Sequence, residues 1–177
     1  MMHKKKILSI LGSTRKESVN LYILKAIADM YTDIAEWIIY TKIDQLPHFN
    51  PDLDKEAFPE TVIHFRKLIE EADGVLICTP EYVFSLPGSL KNAIEWTVST
   101  TLFTNKPTAL ITAASSGQKA QEALNLLMRT IGVKMAVNSS LLIQAPKTKI
   151  SIDGNITDDA TQKAIRELID SFLELLI

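Results

Sequence analysis

The chain has 177 residues, 46% hydrophobic and 23% charged, with 19 Lys and Arg set against 21 Asp and Glu. That length is ordinary for one domain with a substantial core, and the composition excludes disordered, collagen-like and fibrous classes. A formal net charge of −2 lacks the basic excess needed to neutralise nucleic-acid phosphates, and falls short of the acidic balance that docks shuttle proteins onto basic partners.

The one cysteine, Cys78, has no partner for an intramolecular disulfide, and no Cys/His cluster has zinc spacing. No apolar run approaches the ~18 residues needed to cross a bilayer. Met1 to Lys6 resembles the start of a signal peptide, but the apolar run behind it, Ile7 to Leu11, is too short for a secretory core and meets Gly12. The expectation is a single, soluble, cytoplasmic domain over residues 1–177 with no metal site.

Ile7-Leu8-Ser9-Ile10-Leu11 reads as a buried strand stopped by Gly12. Residues 18–31 follow as a helix, with Leu21, Leu24, Ala28 and Tyr31 at three- and four-residue steps. A second strand is predicted at 34–40, then an irregular stretch at 41–59 holding three prolines. Residues 60–72 carry Val62, Phe65, Leu68 and Ile69 on one helical face, and 74–79 form the clearest strand. Residues 87–98 read as a helix with Leu90, Ala93, Ile94, Trp96 and Thr97 inward. A strand at 108–114, a helix at 118–131 and a β-like segment at 135–143 follow. An amphipathic helix at 157–177, capped by Thr157 and two Asp, closes the chain.

Apolar strands alternating with amphipathic helices imply an α/β fold whose parallel sheet is covered on both faces. Right-handed crossovers leave the five-stranded doubly wound sheet as the natural solution at this size. Ligands in such sheets bind beyond the carboxyl ends of the strands, where strand order reverses. The loops after Leu11, Thr79 and Ala114 are therefore the candidates.

The first, Gly12-Ser13-Thr14-Arg15-Lys16-Glu17-Ser18-Val19-Asn20, sets three hydroxyls, an amide and two bases before a helix. Free N–H groups and partial positive charge at a helix start favour an anion, and Ser13, Thr14, Ser18 and Arg15 add donors suited to a terminal phosphate. Neither the dinucleotide glycine spacing nor the Lys-Ser/Thr ending of a P-loop is present, so a monophosphate is expected. The same loop also reads as simple helix capping, with Ser18 as N-cap. The second loop, Pro80-Glu81-Tyr82-Val83-Phe84-Ser85-Leu86-Pro87-Gly88, packs two aromatics and two prolines after the strongest strand. It suits main-chain contact with a flat ring, while Phe84 and Leu86 alternatively pack under the sheet and Pro87 starts a helix.

Gly12-Ser13-Thr14-Arg15 with Ser18 and Asn20, then Pro80-Glu81-Tyr82, Ser85, Pro87-Gly88 and Leu90-Lys91-Asn92-Ala93-Ile94-Glu95-Trp96, resemble the NADPH-dependent FMN reductase family. The resemblance covers nearly the whole chain and implies a flavodoxin-like fold, FMN as cofactor and NADPH or NADH as co-substrate. It implies that Ser13, Arg15, Ser18, Asn20 and Leu21 hold the FMN phosphate. Pro80, Glu81, Tyr82, Val83 and Phe84, with Ser85 close by, are implied along the ring and ribityl chain. Ser115, Ser116 and Gly117 are implied at the other part of the ring. Two departures stand out: Val83 occupies a position where the family often has Asn, and the third loop holds a single glycine.

In such a protein the flavin carries the chemistry and no catalytic side chain is required. The expected activity is ping-pong transfer of electrons from NAD(P)H to quinones, flavins or similar small acceptors. N–H donors of the Ser115 to Gly117 loop are expected to face charge on the reduced ring. Cys78 is read as a buried structural thiol, and His48 either borders the open flavin face or is merely solvated. His3 and His64 read as surface or helix-face residues, and Lys4-Lys5-Lys6 as a solubilising edge. Trp96 is left between core and interface, because the resemblance implies a homodimer or homotetramer, with residues 44–54 near a neighbouring subunit. Two other functions stay open: an FMN-binding electron carrier that takes no hydride from NAD(P)H, and a non-enzymatic phosphate-ligand binder.

Overall fold

A computed structural model describes residues 4–54 and 58–177; His3 and positions 55–57 of the irregular stretch lie outside the described residues. In chain order the elements are β1 (Lys5–Leu11), α1 (Val19–Met30), β2 (Ala35–Tyr40), α2 (Glu60–Glu71), β3 (Gly74–Thr79), α3 (Gly88–Glu95), β4 (Thr108–Ala114), α4 (Gln118–Thr130), β5 (Ser140–Gln144) and α5 (Asp159–Leu173). The five strands form one parallel sheet in the order β2-β1-β3-β4-β5. This is the flavodoxin-like order, in which the chain moves outward from β1 in both directions.

Side-chain alternation along each strand divides the core in two. Ile7 and Leu11 of β1, Leu76 and Cys78 of β3 and Ile111 of β4 pack with Ile23 and Ile27 of α1 and Ile165 and Phe172 of α5. Leu8 and Ile10, Val75 and Ile77, and Leu110 pack on the opposite face with Phe65 of α2, Leu90 of α3 and Leu124 of α4. Continuous apolar strands are thus required, since each face meets helices rather than water.

Several boundaries differ from the sequence reading, each for a physical reason. The core face of α1 centres on Asn20, Ile23, Leu24 and Ile27, one step round from the predicted Leu21–Leu24–Ala28 line. The apolar residues at 135–137 do not extend β5: Ala136 and Val137 enter a turn closed by the Ser139 N–H on the Ala136 carbonyl, Val137 is fully exposed, and the edge strand begins only at Ser140. Helix α3 ends at Glu95 with Trp96 as its C-cap. Trp96 itself is fully buried, which assigns it to the core of this chain. The N-cap of α5 is Asp158, whose carboxylate accepts from the Thr161 N–H at 2.8 Å, while the Thr157 hydroxyl donates to the Lys149 carbonyl.

Residues 47–49, between β2 and α2, are tied to α3 and its C-cap. The Phe49 N–H donates to the Asn92 amide at 2.7 Å, and the Trp96 indole N–H donates to the Pro47 carbonyl at 2.7 Å. His48 between them is exposed. Among the described residues no helix is long and apolar enough to cross a membrane.

Candidate functional site

The loops after β1 and β3 leave the sheet at the point where the chain reverses its direction of strand addition, so a crevice opens there. Gly12 makes the approach of these two strand ends possible. Its N–H donates to the Cys78 carbonyl at 2.8 Å, and a Cβ in its place would lie 2.5 Å from the Thr79 hydroxyl oxygen. The crevice has a volume of about 370 Å³, within the range of small-molecule and cofactor sites. Its walls come from the first loop (Ser13, Arg15, Ser18), the second (Pro80, Glu81, Tyr82), the third (Ala114, Ser115) and the segment after β5 (Ala145, Lys147).

The first loop forms the wall nearest α1. Ser13 and Ser18 are buried, with Arg15 exposed at the rim. Ser18 occupies the N-cap position, yet its hydroxyl makes no capping bond and the first turn of α1 contains no acid. The simple capping reading of this serine therefore fails. Uncapped N–H groups, two buried hydroxyls and a nearby guanidinium form a donor set suited to a phosphate monoester. Asn20 lines the crevice from inside α1, its Nδ2 donating to the Ala113 carbonyl at 3.3 Å. Leu21 is not part of the wall; its N–H closes the first helical turn on the Ser18 carbonyl.

In the second loop, Tyr82, Val83, Phe84 and Ser85 form a two-residue reverse turn. Tyr82 and Ser85 exchange N–H···O bonds of 3.0 Å in both directions, and Val83 and Phe84 have φ of 51° and 55°. Two positive φ values belong to the turn type that favours Asn and Gly, so a β-branched valine here is strained. Pro80, Glu81 and Tyr82 face the crevice, whereas Val83 and Phe84 project into solvent with 96% and 76% exposure. Leu86 is buried beneath the loop and Pro87 is the N-cap of α3, so the packing role falls to Leu86 and not to Phe84.

The Glu81 carboxylate does not point to an open donor. Its Oε1 accepts from the Gly117 N–H at 3.1 Å and its Oε2 from the Ala120 N–H at 3.0 Å. Gly117 is thereby removed from the N–H donors expected of the third loop. Ser115 reaches the crevice wall, whereas the exposed Ser116 and the buried Gly117 do not line it. The Gln144 amide donates to the Ser116 carbonyl at 3.3 Å.

The fourth wall, Ala145-Pro146-Lys147-Thr148, is absent from the sequence reading. Ala145 takes a left-handed conformation and its N–H donates to the Ala114 carbonyl at 3.0 Å, which brings this segment against the third loop. Lys147 adds a second cation to the crevice beside Arg15. The signal for it was a proline two residues past the last strand, at the same sheet end as the other three loops. Among the described residues no group of three His, Cys, Asp or Glu side chains is placed to hold a metal ion.

A flavodoxin-like sheet with a phosphate-type donor set at its switch point and an aromatic second loop is the architecture of an FMN-dependent oxidoreductase. The sequence profile of the NADPH-dependent FMN reductase family matches residues 5–147. A 2-hydroxy-1,4-benzoquinone reductase of Burkholderia sp is 30% identical, with 94% of this chain and 93% of that protein covered. An NAD(P)H:quinone oxidoreductase of Solanum tuberosum is 32% identical over 93% of this chain and 89% of that protein. Among solved structures, FerB, a flavoenzyme NAD(P)H:(acceptor) oxidoreductase from Paracoccus denitrificans, superposes with a TM-score of 0.86 at 31% identity, covering 97% of both chains. The chain belongs to the NADPH-dependent FMN reductase family. It is an NAD(P)H-dependent oxidoreductase that uses FMN.

Proposed function

We propose that the crevice at the carboxyl ends of the strands holds FMN and that the chain, as one domain, reduces quinones or similar small acceptors with NAD(P)H in two alternating half-reactions. The observation that carries this reading is the uncapped N-terminus of α1, ringed by Ser13, Arg15 and Ser18, opening into a crevice walled by Pro80 and Tyr82. When bound, FMN supplies the hydride and electron transfer itself. The protein's task is to bind, orient and leave one approach open.

In this reading Ser13, Arg15, Ser18 and Asn20, with the first N–H groups of α1, hold the phosphate, and Leu21 shapes the turn that presents them. Pro80, Tyr82 and the main chain of Glu81 bound the ring on one side. Ser115, backed by Ser116 and Gly117, bounds it on the other. Val83 and Phe84 form an apolar tip at the rim with the Ser85 hydroxyl beside it, where a flat acceptor or a nicotinamide passes. Lys147 and Thr148 close the far wall. The exposed Val83–Phe84 tip also supports self-association as a homodimer or homotetramer, which light scattering measures directly. A cytoplasmic location accords with the NAD(P)H supply and with the lone reduced thiol.

Comparative titration of FMN and riboflavin, followed by flavin fluorescence, tests the phosphate assignment. Hydrogen bonds to a charged group contribute about 1.5–3 kcal/mol each, so FMN binds at least ~100-fold tighter than riboflavin and Arg15→Ala weakens FMN about 10- to 100-fold while leaving riboflavin unchanged. Equal affinity for the two flavins overturns it.

A further inference from the structure

Helix α4 lacks the ordinary means of satisfying its N-terminus. Its N-cap is Gly117, which has no side chain, and its first turn contains no acid. A helix start of 13 residues carries about half a unit of positive charge and unpaired N–H groups, an arrangement that attracts anions. The anion present is Glu81, 36 residues earlier in the chain for Gly117 and 39 for Ala120, with one carboxylate oxygen on each amide. Gly117 is held from its other side as well: its φ is 89°, and a Cβ there would lie 2.6 Å from Leu142 of β5.

We propose that Glu81 is a positioning residue: its carboxylate serves as the built-in counter-ion of α4, locks the second loop against the third, and sets the spacing on which FMN affinity depends. The proposal rests on the FMN reading above. Glu81 sits between Pro80 and Tyr82, which wall the crevice on one side, and its two amide partners follow Ser115, which walls it on the other. One charged group therefore fixes the distance between two walls. Because the carboxylate fills the start of α4, the open helix N-terminus at the crevice is that of α1, which directs a phosphate to the first loop. Gln at position 81 keeps one acceptor but turns an NH₂ donor toward the other N–H, so it breaks half of the tie.

The test compares wild type with Glu81→Ala and Glu81→Gln. In FMN-free protein, amide hydrogen exchange at Gly117 and Ala120 accelerates about tenfold or more in Glu81→Ala, and at one of the two amides in Glu81→Gln, while Ile111 in the core of β4 keeps its protection. FMN affinity falls about tenfold or more in Glu81→Ala. Added acetate, a small carboxylate able to re-occupy the helix start, restores FMN affinity in Glu81→Ala and leaves wild type unaffected. A purely space-filling role for Glu81 gives no acetate rescue. Unchanged exchange at both amides, unchanged FMN affinity, or absence of rescue each overturns the proposal. Should Glu81→Ala fail to fold, the single-amide effect in Glu81→Gln decides it. A wild-type protein that binds no FMN sinks the functional reading and the affinity part that rests on it, and the exchange comparison still decides the tie.

Discussion

The Cys78 thiol donates to the Asn20 Oδ1 at 3.3 Å in the interior of the protein, joining the end of β3 to the first turn of α1. Asn20 donates in turn to the Ala113 carbonyl of β4. A carbonyl only accepts, so the amide has one workable orientation: NH₂ toward Ala113 and oxygen toward the thiol. Burial pushes the Cys78 thiol well above its ordinary range, which keeps its proton available as the donor. Cys78→Ser preserves a donor and is expected to lose little stability. Cys78→Val leaves Oδ1 buried without a partner and costs about 1–3 kcal/mol in urea unfolding. In the native state the thiol does not react with an aromatic disulfide reagent, and it reacts on unfolding. A valine variant as stable as wild type removes the tie from the account.

Arg66 anchors the irregular segment before α2 to the end of α3. Its Nη2 donates to Asp54 at 2.6 Å and to Ser99 at 3.1 Å, and its Nε donates to the Trp96 carbonyl at 2.7 Å. The pair is well shielded, with side-chain exposures of 13% and 6%. Removing one member of a buried pair strands the other, so Arg66→Ala is expected to cost about 3 kcal/mol or more in chemical denaturation. Arg66→Lys recovers only part of it, because an ammonium does not reproduce the planar fork. Full recovery by lysine contradicts this assignment.

Val83 holds a left-handed backbone with nearly its whole side chain in water. Strain of this kind costs about 1–3 kcal/mol, and asparagine tolerates the conformation better. Val83→Asn therefore stabilises the protein by about 1 kcal/mol, measured by denaturant unfolding at a dilution where the chain is monomeric. A loss of stability means that Val83 makes contacts within the fold that its exposure denies.

Tyr31 is buried, and its hydroxyl donates to Asp170 at 2.9 Å. Burial first, then the bond to Asp170 and the nearby carboxylate charge, raise its pKa from 10.0 to about 12. The folded state thus favours the neutral phenol; its contribution is complete below pH 10 and is lost as pH rises through about 12. Tyr40 is raised in the same direction by burial and by Asp44. Tyr31→Phe is expected to be less stable than wild type at neutral pH by about 1 kcal/mol. The gap narrows as pH passes from about 10 to about 12, and a gap that stays constant contradicts the linkage.

Most of the architecture was legible because burial on two faces forces long apolar strands, and 74–79 and 108–114 were read with their observed limits. The edge strand β5 was not, since only Ile143 of its five residues is buried and an edge needs no continuous apolar run. For the site, the rule that ligands gather at carboxyl ends of strands located three of the four walls. Cys78 was read as a buried structural thiol, and it is one; the hydrogen-bond partners of Glu81, Asn20 and Cys78 could not be read from the chain. Their partners are backbone groups or residues dozens of positions away, brought together by strand order alone.

Whether the crevice is a flavin site that cycles electrons is decided by the absorbance spectrum of purified protein given FMN, then NADPH without oxygen, then a quinone. Protein-bound flavin bands that bleach on NADPH and return on quinone are expected, with FMN bound much more tightly than riboflavin. Protein that leaves added FMN free and oxidises no NADPH contradicts the flavin reading, and makes the first loop an anion site for some other phosphorylated ligand.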